Sequence, residues 1–165
     1  MGCGKSTLGK KLANKLNIPF IDSDTEIEKI HQKTIGEIFG EQGESRFRLM
    51  EKEFIDSLDT QEEFVLATGG GMPCYNNVLE QLNELGTTYY LERSAKELAN
   101  RLVNAKSKRP LIEGMSIEEL QFFIEEKLEE RKEYYRNANI ILPREDQNAA
   151  EMVEFINLLQ PHQTD

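Results

Sequence analysis

Apolar residues recur at helical spacing over much of the chain. Leu8, Leu12 and Leu16 lie four residues apart among lysines, which predicts a helix with one buried face. Two later helices are predicted to begin at Ser94 and Ser116, because each serine is followed three residues later by glutamate, the pattern of a capping box. Other amphipathic stretches predict helices at about 24–32, 34–41, 43–59, 75–85 and 146–159.

Short apolar runs separate these helices. They lie at 18–22, 64–68, 87–92 and 138–142, and each is bounded by polar or glycine-containing segments. Strands that alternate with helices predict a doubly wound α/β fold, a parallel sheet covered by helices on both faces. We find no repeat or low-complexity segment that divides the 165 residues, so we expect one domain over 1–165.

The net charge of the chain bears on which classes of molecule it can bind. The chain carries 30 acidic and 20 basic residues, a formal net charge of −10. Such a surface repels nucleic acid and anionic membranes, so we expect neither as a partner, and an anionic ligand requires a local cluster of cations. The sequence has no apolar run of about 18 residues and no recognisable signal peptide, which predicts a cytoplasmic protein.

The segment GCGKS at 2–6 matches the second half of the phosphate-binding loop G-x-x-x-x-G-K-[ST]. In such a loop backbone N–H groups bind phosphate, the lysine reaches the terminal phosphates and the hydroxyl ligates Mg²⁺. A short match of this kind leaves an ordinary glycine-containing N-terminus equally open. The loop's first glycine would fall one residue before Met1, so we expect this glycine, and the strand that leads into it, to precede the printed chain.

Acids and glycines follow two of the predicted strands. Asp22 and Asp24 end the first, and Gly69, Gly70 and Gly71 follow the second. Ligands of α/β sheets collect at the carboxyl ends of strands, where two acids could serve a Mg²⁺ ion and a substrate hydroxyl. Helix capping by Ser23 or Asp24 is equally open. Three consecutive glycines favour a close approach of the backbone to a ligand.

Three arginines have both a functional and an ordinary interpretation. Arg48 and Glu51 lie three residues apart on one helix face. They could form a solvated ion pair at the surface, or they could face a pocket. Arg109 lies in a polar segment. It could be a lid arginine over a phosphoryl-transfer site, or it could be an ordinary surface charge. Arg136 ends a long helix, where cations often interact with the helix dipole.

Taken together, the segments GxGKST, DSD, GE-x-x-FR-x-x-E, TGGG and K-x-x-RPL resemble those of shikimate kinases, small P-loop kinases of aromatic amino-acid biosynthesis. The resemblance extends from Met1 to about Phe155. It implies strand order 2-3-1-4-5 with strand 1 absent from this chain, a shikimate-binding segment at about 23–60 and a lid at about 105–116. It also implies a monomeric, ATP-dependent and Mg²⁺-dependent enzyme that converts shikimate to 3-phosphoshikimate.

The resemblance further implies roles for individual residues. Those expected in catalysis are Lys5, Asp24 and Arg109. Those expected at the nucleotide are Gly2, Cys3, Gly4, Lys5, Ser6, Thr7, Arg109 and Arg144. Those expected at shikimate are Asp24, Arg48, Gly69, Gly70, Gly71 and Arg136, with Glu51 holding Arg48. Those expected at Mg²⁺ are Ser6 and Asp22.

Two alternatives stay open from the sequence. One is another small-molecule kinase of the same fold, such as a gluconate kinase or a nucleoside monophosphate kinase. The other is a truncated domain that binds its ligand with impaired turnover. We expect the printed chain to fold poorly and to be at most feebly active, and about ten upstream residues to restore both properties.

Overall fold

The computed structural model describes residues 2–104 and 114–159, so most of the predicted lid, including Arg109, lies outside the described residues. The helices in these ranges are α1 Lys5–Leu16, α2 Ser23–His31, α3 Ile35–Asp56, α4 Val78–Leu85, α5 Ala95–Val103, α6 Ile117–Arg136 and α7 Ala149–Leu159. The strands are β1 Phe20–Asp22, β2 Val65–Ala67, β3 Tyr89–Leu91 and β4 Ile140–Leu142. Single 3₁₀ turns lie at Met72–Cys74 and Arg144–Asp146.

Local side-chain hydrogen bonds begin the helices where the sequence predicts. The Ser94 hydroxyl accepts from the Glu97 N–H at 3.3 Å, and the Glu97 carboxylate accepts from the Ser94 N–H at 3.1 Å. Ser116 and Glu119 form the same reciprocal pair at the start of α6. Both predicted capping boxes are therefore confirmed, and each satisfies N–H groups that a helix N-terminus leaves without partners.

Left-handed residues set other helix boundaries. Asn17 ends α1 with a φ of 56°, and Gly43 interrupts α3 with a φ of 77°, close to the predicted division between two helices. The helix predicted from residue 75 begins later, at Val78, because Asn76 and Asn77 adopt left-handed conformations with φ of 54° and 55°. Asparagine tolerates this region better than most residues do.

The strands pair in parallel, as the alternating pattern predicts. Phe20 of β1 lies opposite Val65 of β2, and Tyr89 of β3 lies opposite Ile140 of β4. The result is a pair of two-stranded sheets, β1-β2 and β3-β4, which correspond to positions 2-3 and 4-5 of the expected order. Within the described ranges no strand links β2 to β3.

The apolar core consists of three clusters that follow the helix pairs. One lies around α2, α3 and α4, one between α5 and α6, and one between α1 and α7. In the first cluster Phe47, Met50 and Phe54 anchor the second half of α3. Because burial of each such side chain contributes about 1.5–3 kcal/mol, the rotation of α3 about its axis is well determined. No helix in the described part of the chain is long and apolar enough to cross a membrane.

Candidate active site

The segment before α1 has the backbone geometry of an anion-binding loop. Gly2 and Gly4 have φ of 69° and 102°, a region that glycine adopts at little cost. Gly4 is the N-cap of α1, and no side chain caps it. The first N–H groups of α1 are therefore available to a ligand, and the helix dipole favours an anion there.

Three cations surround this loop although the whole chain is strongly acidic. The Lys5 ammonium donates to the Cys3 sulfur at 3.6 Å, and Arg93 Nε donates to the Cys3 carbonyl oxygen at 3.1 Å. Arg101 Nη2 lies 3.3 Å from the position that a Cβ on Gly4 would take. Burial raises the pKa of the Cys3 thiol, but nearby positive charge, chiefly that of Lys5, outweighs this effect and lowers it. The loop thus has the local cation cluster that an anionic ligand requires.

Arg93 and Arg101 were not among the predicted site residues. Arg93 is 90 positions from Cys3 in the sequence, so only the fold brings them together. Arg101 lies in the last turn of α5, where a cation usually interacts with the helix dipole. Neither position carries a local sequence signal for phosphate binding.

The two predicted Mg²⁺ ligands are adjacent. The Ser6 hydroxyl donates to Asp22 Oδ2 at 2.6 Å, and the other oxygen of Asp22 accepts from the Thr25 N–H at the start of α2. The residue that caps α2 is therefore Asp22, and not Ser23 or Asp24 as the sequence suggested, and Asp22 also faces the loop. Kinases commonly hold Mg²⁺ through few protein ligands and the substrate phosphates, and the Ser6–Asp22 pair fits that arrangement. Among the described residues no group of three or more His, Cys, Asp or Glu side chains could hold a metal.

Arg48 is buried, with 8% of its surface exposed. Its Nη1 lies 2.6 Å from Glu51 Oε2 and its Nη2 lies 2.8 Å from Glu44 Oε1. The Tyr75 ring lies against the guanidinium, 4.6 Å from ring centroid to Cζ. The surface-pair interpretation of Arg48 and Glu51 is therefore wrong. The Arg48 guanidinium is held in place by the carboxylates of two glutamates and by the ring of Tyr75.

Glu51 is the most buried charged residue of this group, with 1% of its surface exposed. Its Oε1 has no hydrogen-bond partner among the described residues. Burial raises the pKa of Glu51 to about 7, although the hydrogen bond and charge of Arg48 oppose the rise. Glu51 thus fixes Arg48 through one oxygen and leaves the other oriented toward the glycine segment.

The glycine segment packs tightly against these side chains. A Cβ on Gly69 would lie 2.6 Å from Asp24 Oδ1 and 3.0 Å from Glu51 Oε1, and a Cβ on Gly71 would collide with the Arg48 guanidinium. The Gly69 N–H donates to the buried Ser23 hydroxyl at 2.9 Å. Only glycine permits this approach, so the structure brings Asp24, Arg48 and the glycine segment into one cluster.

Helix α6 contributes an arginine other than the predicted Arg136. Arg136 is exposed in the last turn, and its charge acts on Tyr90. Arg131 instead acts electrostatically on Glu44 and Glu51, which places its charge at the Arg48 cluster. Each residue advances an α-helix by about 100°, so a side chain five positions later points about 140° away. The structure therefore brings Arg131, and not the predicted Arg136, close to the Arg48 cluster.

Tyr135, on the same face of α6 as Arg131, contacts the glycine segment. The Tyr135 hydroxyl donates to the Gly70 carbonyl oxygen at 2.5 Å, and its ring stacks on Tyr90 with centroids 4.9 Å apart. Tyr135 follows Arg131 by four residues, the spacing at which two side chains share a helix face.

Thr7 and Arg144, the remaining described residues among those predicted at the nucleotide, lie on the loop side of the molecule. Thr7 is exposed in the first turn of α1. Arg144 pairs with Glu97 at 2.6 Å, and Glu97 lies 3.9 Å from Arg93, which contacts the loop. A chain of charged contacts therefore connects Arg144 to Cys3.

Comparison with known families identifies this combination of loop and cluster. The family model described as shikimate kinase matches residues 1–160. The chain belongs to the shikimate kinase family. Its P-loop α/β fold and its class, an ATP-dependent and Mg²⁺-dependent phosphotransferase, are those of the family, as the resemblance implied.

Individual shikimate kinases match most of the chain. The shikimate kinase of Bacteroides fragilis is 47% identical over 141 residues, which cover 86% of this chain and 79% of the relative. That of Flavobacterium johnsoniae is 42% identical over 159 residues, which cover 94% and 92%. Among solved structures, the shikimate kinase from Bacteroides thetaiotaomicron superposes with a TM-score of 0.86 at 38% identity, over 96% of this chain and 93% of that one. The enzyme from Acinetobacter baumannii in complex with shikimate gives 0.84 at 32%, over 97% and 91%.

Proposed function

We propose that this shikimate kinase transfers the γ-phosphoryl group of ATP to the 3-hydroxyl of shikimate, giving 3-phosphoshikimate and ADP. The observation that carries the proposal is the buried Arg48, held by Glu44 and Glu51 beside Asp24 and the glycine segment. This arrangement combines a group for a carboxylate with a group for a hydroxyl, and shikimate has both functions. The reaction belongs to aromatic amino-acid biosynthesis.

Two arginines bind the substrate carboxylate in this proposal. A guanidinium is planar and always charged, so it can donate two parallel hydrogen bonds to a carboxylate. Arg48 is already oriented by its two acids, and Arg131 approaches the same acids from α6. We assign Arg131, in place of Arg136, as the second carboxylate ligand.

Asp24 orients the substrate hydroxyl and takes its proton. The hydroxyl oxygen attacks the γ-phosphorus, the bond from that phosphorus to the ADP oxygen breaks, and the hydroxyl proton passes to the Asp24 carboxylate. Backbone groups of Gly70 and Gly71 complete the binding of the ring. Such a reaction depends chiefly on positioning and on stabilisation of charge.

The loop side binds the nucleotide. The N–H groups at the start of α1 hold the phosphates, and Lys5 reaches the terminal ones. Ser6 and Asp22 would hold Mg²⁺, which neutralises phosphate charge when bound. Arg109 as the lid arginine, and Arg144 near the adenine, stay predictions.

An ATP-coupled assay across three acceptors tests the proposal. We expect turnover with shikimate to exceed turnover with gluconate and with nucleoside monophosphates at equal concentrations. Turnover on another acceptor with none on shikimate would reject it. Calorimetric binding of shikimate without any turnover would instead support the alternative of an impaired binding domain.

A monomeric state and a cytoplasmic location are expected from the family resemblance and the sequence. Light scattering of the purified chain at several concentrations tests the first. Cell fractionation tests the second.

A further inference from the structure

Glu44 fills one edge of the Arg48 guanidinium. Its Oε1 accepts from Arg48 Nη2 at 2.8 Å and from Arg48 Nε at 3.2 Å. These two nitrogens lie along one edge of the planar group, and such an edge is the part of an arginine that receives a carboxylate. A carboxylate of the protein itself therefore occupies a position in which Arg48 could receive the carboxylate of a substrate.

The other sides of the guanidinium have other neighbours. Nη1 donates to the buried Glu51 at 2.6 Å. The backbone of Gly71 lies against Nη1 and Nη2, so closely that a Cβ on this glycine would be 2.7 Å from Nη1. The Tyr75 ring covers one face, with its centroid 4.6 Å from Cζ. An incoming carboxylate is therefore best able to reach Arg48 at the edge that Glu44 fills.

Glu44 is far more exposed than Glu51, the other acid on Arg48. The side chain of Glu44 is 53% exposed and that of Glu51 is 2% exposed. An exposed carboxylate stays largely hydrated, so breaking its ion pair costs little. Gly43, with φ of 77° and ψ of 170°, interrupts α3 and places Glu44 at the start of the helical segment that follows. Glu44 is consequently the acid that can exchange, whereas Glu51 stays in place.

The surroundings of the Glu44 carboxylate are those that a substrate carboxylate would need. The hydrogen bond from Arg48 lowers the pKa of Glu44, and the positive charge of Arg131 acts in the same direction. The Tyr75 hydroxyl lies 3.4 Å from the same oxygen of Glu44 and donates to it. Arg48 and Arg131 are also the two arginines to which the proposed function assigns the substrate carboxylate. Because two carboxylates at one edge repel each other, the arrival of one requires the departure of the other.

We propose that Glu44 is an internal competitor of the substrate carboxylate, which holds one edge of Arg48 in the free enzyme and leaves when a carboxylate ligand binds. In the free enzyme Glu44 keeps a buried cation paired, since an unpaired buried charge is costly. On binding, one carboxylate replaces another, so the charge-assisted hydrogen bonds of Arg48 are formed again. The proposal rests on the proposed function, because it takes Arg48 as the group that binds the substrate carboxylate.

Glu44 thereby sets the affinity for carboxylate ligands. The apparent Kd equals the intrinsic Kd divided by the fraction of molecules in which the edge of Arg48 is open. Removal of the competing charge should therefore tighten binding. If Glu44 served only to orient Arg48, its removal would weaken binding instead, so the two roles predict opposite signs.

Calorimetric titration of shikimate into the full chain and into Glu44→Gln tests the sign. Glutamine has the same size without the charge, and we expect the Kd to fall about two- to fivefold, as for loss of a partly exposed ion pair. The matched control is Glu53→Gln, which removes the same charge from an exposed pair with Arg46 on the same helix and should leave the Kd unchanged. A Kd that rises in Glu44→Gln, or that falls equally in the two variants, would overturn the proposal.

The methyl ester of shikimate provides a control on the ligand. It has no charged carboxylate, so it does not displace Glu44, and its affinity should be the same for the wild type and for Glu44→Gln. An equal gain in affinity for the acid and for its ester would show a general change of the pocket and would also overturn the proposal.

Cyclohex-1-ene-1-carboxylate separates this proposal from the choice of substrate, because it keeps the ring carboxylate and lacks the hydroxyl groups. If shikimate bound to neither protein while this acid bound more tightly to Glu44→Gln, the substrate assignment would fail and the role of Glu44 would stand. Shikimate binding that is no tighter in Glu44→Gln would overturn the role of Glu44 and leave the substrate assignment intact. Binding of neither acid to either protein would overturn both.

Discussion

The two ends of the candidate active site differ in burial and in packing. At the shikimate end Arg48 and Glu51 are buried, paired and packed against glycines on the best-anchored half of α3. At the nucleotide end Ser6 and Thr7 are exposed, and the first turn of α1 has no side-chain cap. The proposed shikimate site is therefore part of the core, whereas the proposed phosphate site lies at the exposed first turn of α1.

Arg48→Ala should give the largest effect, because it removes the guanidinium that pairs with both acids of the buried cluster. Removal of Arg48 leaves the buried Glu51 without its hydrogen-bonded counter-ion, and breaking a buried pair in this way costs about 3–5 kcal/mol in the free energy of unfolding. Denaturant unfolding and calorimetric titration with shikimate measure the two expected losses, of stability and of shikimate binding.

Arg46→Ala is the matched control for this variant. Arg46 lies on the same helix and pairs with Glu53 at 2.9 Å, but both partners are substantially exposed. Its loss should cost no more than about 1 kcal/mol. If Arg48→Ala and Arg46→Ala lowered the free energy of unfolding equally, the expected difference between a buried and an exposed ion pair would be contradicted.

Lys5→Ala should affect the nucleotide end alone. We expect kcat to fall by roughly 10²–10³-fold because a charge on the transferred phosphates is lost, while shikimate affinity and stability change little. Lys11→Ala, on an exposed position of the same helix, should leave all three quantities unchanged. Steady-state kinetics and calorimetry make the comparison, and a matching loss of shikimate affinity in Lys5→Ala would argue against separate ends.

The pH dependence of stability should report on Glu51. Its pKa is raised from 4.5 to about 7 in the folded protein, so the folded state binds more protons than the unfolded state between these pH values. Stability from this group is therefore present below pH 4.5 and is lost as pH rises toward 7, by about 3 kcal/mol in all. Unfolding of the wild type and of Glu51→Gln across this range isolates the effect, since the other carboxylates cancel. A constant difference between the two proteins would refute the raised pKa.

Among the variants of site residues, Gly71→Ala should give the smallest effect. The added methyl group would collide with the Arg48 guanidinium, which must shift at a cost of about 1–3 kcal/mol and weaken shikimate binding. Gly40→Ala, at a helical position with nothing within 4 Å of the added carbon, should stabilise the protein by about 0.5–1 kcal/mol. Thermal unfolding of both variants tests the opposite signs.

Features that depend on neighbours in sequence were predictable. The capping boxes at Ser94 and Ser116 are local patterns, and each begins a helix as expected. The acids after β1 and the glycines after β2 meet because parallel strands bring their carboxyl ends to one edge. A local pattern and a topological rule therefore predicted where these residues lie in the fold.

Features that depend on helix rotation or distant contacts were not predictable in the same way. Arg131 and Arg136 are equally plausible in sequence, and only the packing of α6 decides which faces Arg48. Arg93 reaches Cys3 across 90 positions. The Arg48–Glu51 pair has the spacing of an ordinary surface pair, and its burial follows from the core beneath α3.

The central claim is that the buried arginine cluster selects shikimate as the phosphoryl acceptor. The most direct test incubates the protein with γ-labelled ATP and an equimolar mixture of shikimate, gluconate and AMP, and identifies the labelled products by mass spectrometry. The account predicts label in 3-phosphoshikimate above every other product, and its loss in Arg48→Ala but not in Arg46→Ala. Label in phosphogluconate or ADP with none in 3-phosphoshikimate would contradict it.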